Sequence, residues 1–117
     1  MENVHFGHTG ERRAAVFLES QGYTILERNY RTRLGEIDIV ARDQDVLCFI
    51  EVKTRLSVDY GHPFEAVTPS KQRTVRRLAS CYLLDHDIAH QSVRFDVVGI
   101  LHEPGQEPVI ELLKDAF

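Results

Sequence analysis

The sequence predicts an α/β domain with a mixed central β-sheet flanked by helices, in the order αβββαββ. Three observations predict it. Apolar residues recur at helical spacing in two segments, one from Thr9 to Gln21 and one from Thr68 onward. Five short β-forming runs lie between and after these segments. One of them, Val46-Leu47-Cys48-Phe49-Ile50, is apolar at every position, as a strand covered on both faces must be.

The first helix carries Ala14, Ala15 and Leu18 on one stripe with Phe17 beside it, and Gly22 follows where a helix end favours positive φ. Tyr23 to Tyr30 and Glu36 to Ala41 read as strands flanking an Arg-rich turn that contains Gly35, and Val46 to Lys53 completes a meander. After a loop with Gly61 and Pro63, Thr68-Pro69-Ser70 supplies a capping hydroxyl and a proline suited to the first helical turn. The stripe Val75, Leu78, Ala79 and Tyr82 turns Arg73, Arg76 and Arg77 mainly away from the core. Val93 to Leu101 and Val109 to Leu113 are the last strands, separated by a turn at Glu103-Pro104-Gly105. The second helix crosses between strands three and four.

At 117 residues, 43% hydrophobic and 27% charged, the chain is expected to form one domain over residues 1–117 with a core of its own, which argues against disorder and against two separate cores. Cys48 and Cys81 are too few for a secreted disulfide framework and form no CxxC pair, so a reducing cytoplasm is expected. No basic segment with a following apolar run opens the chain, and no apolar stretch approaches a membrane span, so no membrane partner is expected. The formal charge of −4 argues against indiscriminate capture of a polyanion. The distribution is uneven, however: residues 1–77 carry 12 basic and 11 acidic side chains, residues 78–117 only 2 and 7. A working face on the first part can therefore meet phosphates.

The chemistry is expected where the most buried strand ends in charge. Pleat alternation places Glu51 and Lys53 on one face of strand three. If Ala41 pairs with Val46 across the Arg42-Asp43-Gln44-Asp45 hairpin, Asp38 lies opposite Phe49 and diagonal to Glu51 on that same face. Two converging carboxylates repel unless a cation separates them, and all-oxygen ligands suit Mg²⁺ or Mn²⁺. Such a centre, with Lys53 beside it, is apparatus for phosphodiester hydrolysis. The competing reading is a salt-bridge network at the sheet edge. Glu11 shares the core-facing stripe of helix one, where it either joins the site or serves the helix dipole. Lys71 and Gln72 extend the buried stripe of helix two toward the end of strand three, as substrate contacts or as caps. Arg73, Arg76 and Arg77 are either a solvated face or a phosphate-contacting one. His86-Asp87-Ile88-Ala89-His90 imitates a zinc motif but has no third ligand and reads as a helix terminus. Cys48, flanked by Leu47 and Phe49, reads as core.

Gly10-Glu11, Gly35-Glu36-Ile37-Asp38-Ile39-Val40-Ala41, Phe49-Ile50-Glu51-Val52-Lys53-Thr54-Arg55 and Lys71-Gln72-Arg73, in this order, resemble the YraN-like uncharacterised family. That family is similar to archaeal Holliday-junction resolvases of the PD-(D/E)xK nuclease superfamily. The resemblance covers roughly Gly7 to Gly99 and implies a restriction-endonuclease-like three-layer core with Mg²⁺-dependent cleavage of DNA, branched or junction DNA included. It implies Asp38 and Glu51 as metal ligands together with the Val52 carbonyl, Lys53 as the catalytic lysine and Glu11 as an auxiliary acid. Lys71, Gln72, Arg73, Arg76, Arg77 and Arg55 are the expected DNA contacts, and a homodimer is a possible assembly. Ile37 stands where the superfamily has its proline. The alternative function is a binding module that keeps the fold and recognises DNA or a protein partner without cutting.

Overall fold

In a computed structural model that describes the backbone of all residues except 1, 58 and 60, and side chains from Gly10 onward, the elements follow the expected order. They are α1 (Glu2–Ser20), β1 (Thr24–Thr32), β2 (Gly35–Asp43), β3 (Val46–Arg55), α2 (Pro69–Asp85), β4 (Val93–Leu101) and β5 (Val109–Leu113), with a short 3₁₀ turn at Pro63–Ala66 before α2. The helix α1 begins well before the expected Thr9, at Glu2.

The five strands form one mixed sheet in sequence order. All neighbours are antiparallel except β3 and β4, which are parallel because α2 crosses between them. The expected α/β architecture is what the chain adopts. Alternation along the central strand divides the core into two layers. Ala14, Leu18, Ile39, Cys48, Ile50 and Val98 pack between α1 and one sheet face. Ile37, Val40, Leu47, Phe49, Val75, Leu78 and Tyr82 pack between α2 and the other. Leu47, Cys48, Phe49 and Ile50 are all fully buried, and this is why β3 has no polar face until it reaches Glu51.

Helix termini are set by local chemistry. The Thr68 hydroxyl accepts the Lys71 N–H at 3.2 Å and Pro69 opens α2, as the sequence predicts. The end of α1 is closed by Tyr23 N–H donating to the Leu18 carbonyl and Gly22 N–H donating to the Glu19 carbonyl, with Gly22 at φ 95°. The same pair of bonds closes α2, from Ile88 to Leu83 and from Asp87 to Leu84, with Asp87 at φ 56°. His86 lies at this terminus stacked on Tyr82, and His90 is exposed, so the zinc-like spacing is a helix end.

The hairpin register differs from the expected one. Asp43, not Ala41, pairs with Val46, across a two-residue turn at Gln44 and Asp45 with Gln44 at φ 55°. The ladder is shifted by two residues, which preserves side-chain parity while sliding Asp38 from the level of Phe49 to that of Glu51.

Candidate metal centre

The β2–β3 ladder ends at the pair Ile39 and Ile50. Beyond it β2 continues beside β1 as far as Gly35, and β3 continues beside β4 as far as Arg55. The sheet therefore forks, and Asp38 and Glu51 are the first residue of each strand inside the fork. Alternation also breaks here: Ile37 and Val40 both face α2, whereas Ile39 and Ala41 face α1. Opposite Asp38, Asn29 has φ 56° and the β1–β2 ladder skips this position. Asp38 is thus not a regular member of one sheet face, contrary to the expectation from unbroken alternation.

In the fork, side chains take over from the ladder. The Val52 N–H donates to Asp38 Oδ2 at 2.8 Å, and the Asp38 N–H donates to Glu51 Oε2 at 3.4 Å. Each carboxylate accepts an amide that the parted strands leave without a carbonyl. Because the N–H and C=O of one strand residue project to the same side, the Val52 carbonyl also points into the fork.

The site is a cavity of about 360 Å³ lined by Glu11, Glu36, Asp38, Glu51, Val52, Lys53, Thr54 and Lys71. The helix α1 brings Glu11 close to β3; a Cβ built on Gly10 would stand 2.8 Å from Thr54 Oγ1. Carboxylate oxygens of Glu11, Glu36 and Asp38 lie within 4.8 Å of one another. Glu51 is 1% exposed, and Lys71 Nζ stands 3.5 Å from its Oε1. Burial pushes the Asp38 and Glu51 carboxyls well above the usual carboxylate range, and the charges of neighbouring acids push further in the same direction. Lys53 lines the cavity and, among the described residues, has no ion-pair partner within 4.0 Å.

Of the expected site residues, Asp38, Glu51, Lys53, Glu11, Val52 and Lys71 come together. Gln72 does not line the cavity: its side-chain amide donates to the Val67 carbonyl and fastens the start of α2. Arg55 ends β3 with its Nε buried and, among the described residues, without a hydrogen-bond partner. Arg73, Arg76 and Arg77 are all exposed on α2, and Arg76 in addition lies over the Phe95 ring at 4.6 Å. Glu36 is the acid that sequence reasoning passed over. Its position two residues before Asp38 in one strand was the available signal, and it also pairs with Arg31 at 2.6 Å.

A second buried acidic group shows what a purely structural network looks like here. Asp96, fully buried on β4, receives Tyr23 Oη and two bonds from Arg94, and Arg94 also donates to Asp43 at 2.8 Å. The Asp115 N–H completes the set at 3.0 Å. There acids and donors balance. In the fork, by contrast, Glu11 Oε2 is buried and, among the described residues, has no hydrogen-bond partner, its nearest cation there being Arg28 at 4.0 Å. An orphaned carboxylate oxygen beside two more acids fits a cation with oxygen-only ligands, Mg²⁺ or Mn²⁺. Among the described residues no histidine or cysteine lines the cavity, and this all-oxygen donor set does not suit zinc.

Residues 10–100 match the model of the uncharacterised protein family UPF0102. The chain belongs to this family. A UPF0102 protein of Nocardia farcinica is 48% identical over 111 residues, covering 95% of this chain and 87% of its own length. The UPF0102 protein of Syntrophus aciditrophicus is 47% identical over 116 residues, covering 99% and 91%. That of Dictyoglomus turgidum is 41% identical over 118 residues, with both chains covered completely. The UPF0102 match takes in every residue of the fork, from Glu11 through Lys71, and the expected YraN-like membership holds at this level. No helix among the described residues is long and apolar enough to cross a membrane.

Proposed function

We propose that the protein is a Mg²⁺- or Mn²⁺-dependent endonuclease that hydrolyses DNA phosphodiester bonds, branched DNA included, on a restriction-endonuclease-like core. The observation that carries this reading is the gathering of Glu11, Glu36 and Asp38 within 4.8 Å, beside buried Glu51 and Lys53, in one open cavity. In this reading Asp38, Glu51 and the Val52 carbonyl hold the cation, with Glu11 and Glu36 as further oxygen donors. When bound, the cation supplies Lewis acidity toward a phosphate oxygen and lowers the pKa of water. The chain's own contribution is position and charge. Asp38 is locked by the Val52 amide, so its free oxygen faces the cavity in one orientation. Lys53, on a strand and not on a loop, presents an ammonium to negative charge developing on the phosphate.

The test is a cleavage panel of single-stranded, duplex, flap and four-way-junction DNA with Mg²⁺ or Mn²⁺. Cutting that disappears in EDTA and in Asp38→Asn is the expected result. Salt-sensitive DNA binding in Ca²⁺ without cutting of any substrate would replace this reading with a non-catalytic DNA-binding module.

A further inference from the structure

The role of Lys71 rests on the metal-site reading above. Lys71 occupies the first turn of α2 and reaches back over the fork. Its Nζ stands 3.5 Å from Glu51 Oε1 and donates to the Glu36 carbonyl at 3.4 Å. Glu51 is the most buried acid of the cavity, and Lys71 is its one ion-pair partner among the described residues. A buried carboxylate without a counter-charge is strongly unfavourable, so Lys71 offsets the charge of Glu51 in the metal-free protein.

Three features mark this pairing as replaceable. Both contacts are long, against 2.6 Å for Arg31 with Glu36 and 2.8 Å for Arg94 with Asp96. The Lys71 side chain is one-third exposed (33%), so its ammonium has water within reach when it leaves. An ammonium is a point charge on a flexible stem, with no fixed geometry to lose, and a divalent ion brings twice its charge to the same oxygen. We propose that Lys71 is the resident counter-ion of the metal site: a divalent cation arriving at Glu51 displaces its ammonium, which is then free to take a substrate phosphate at the mouth of the cavity. Lys53 and Lys71 thereby divide the work, Lys53 fixed on the strand and Lys71 moving between carboxylate and substrate.

Isothermal titration of Mn²⁺ into the wild type, Lys71→Met and Lys71→Arg tests the displacement, since a resident competitor and a metal oppose each other reciprocally. Lys71→Met is expected to bind Mn²⁺ more tightly, on the order of fivefold or more, and Lys71→Arg to stay near wild type. Lys71→Gln replaces the methionine variant if the latter melts without a cooperative transition. Duplex DNA binding over a range of salt tests the release. In Ca²⁺ the wild-type slope of log affinity against log salt should exceed that of Lys71→Met by about 0.7 to 0.9, and in EDTA the two slopes should coincide. Equal or weaker Mn²⁺ binding by the neutral variants, with the wild type binding normally, overturns the counter-ion role and leaves the metal site standing. Coincident slopes in Ca²⁺ overturn the transfer to phosphate. Absence of Mn²⁺ binding in all variants overturns both this proposal and the reading on which it rests.

Discussion

At the scale of single residues, the fork contains two acids whose charged forms the fold disfavours. Both carboxyls are raised by burial and by neighbouring negative charge, to about 6 for Asp38 and about 7 for Glu51, so the folded state binds more protons than the unfolded one between about pH 4 and about pH 7. The sign follows directly: the metal-free fold loses stability as pH rises through that range. Asp38→Asn keeps an acceptor for the Val52 amide while removing one charge. The variant should therefore melt higher than wild type in EDTA at about pH 8, and this advantage should shrink at about pH 5. Calorimetry in the two buffers checks it, and a variant less stable at both would deny the charge conflict. Lys53 answers to a different measurement. Its ammonium has no protein partner within 4.0 Å among the described residues, so Lys53→Ala should cost little stability while lowering the cleavage rate by about 100-fold or more, with Mn²⁺ affinity retained. Cleavage at the wild-type rate would remove Lys53 from the chemistry. The residues themselves were mostly legible from sequence, because a buried apolar run ending in Glu51 and Lys53 has few structural explanations. Glu36 was not, because strand alternation alone makes it one more half-exposed acid beside an arginine.

At the scale of elements, the capped start of α2 carries Lys71, and through it the electrostatics of Glu51. Thr68→Ala removes the hydroxyl that accepts the Lys71 N–H and should cost about 1 kcal/mol, with Thr68→Ser restoring most of it. Urea unfolding of the three proteins measures this, and equal midpoints would mean that the cap contributes nothing. Caps of this kind are readable because they depend on a few adjacent residues, and Gly22 and Thr68 both do as their sequence context predicts. The hairpin register is less readable. Nothing local to Arg42-Asp43-Gln44-Asp45 forces the pairing of Ala41 or of Asp43 with Val46; the outcome depends on Gln44 adopting φ 55° and on how far β2 and β3 can zip before the fork. The break in alternation at Asp38 is set by β1, through Asn29 at φ 56°, and is invisible to a pattern read along β2 alone. The shift of two residues preserves parity, but alternation breaks at Asp38, so the two carboxylates meet through the amides of the fork and not on one regular sheet face.

At the scale of the whole molecule, the charge pattern decides how a chain of net −4 would hold DNA. Overall repulsion has to be overcome by a local basic surface, and α2 begins at the cavity with Lys71 and continues into Arg73, Arg76 and Arg77. The structure makes these arginines unequal. All three are exposed, but the Arg76 guanidinium also lies 4.6 Å from the centre of the Phe95 ring and 5.9 Å from that of Phe117. A cation stacked on aromatic rings is worth about 0.5 to 1 kcal/mol at an exposed site, so Arg76 serves the packing of α2 against β4 and the C-terminal residues. Arg73→Ala and Arg77→Ala should each flatten the slope of log affinity against log salt by about 0.7 to 0.9 in Ca²⁺, without lowering the melting temperature. Arg76→Ala should instead lower the melting temperature and leave the slope nearly unchanged. Binding isotherms at several salt concentrations, with melts of the same three variants, separate these outcomes. If all three arginines change the slope equally, Arg76 leaves its ring to reach phosphate; if none does, α2 is a solvated face and any DNA must enter the fork from the side of β1, where Arg28 and Arg31 stand beside Glu11 and Glu36.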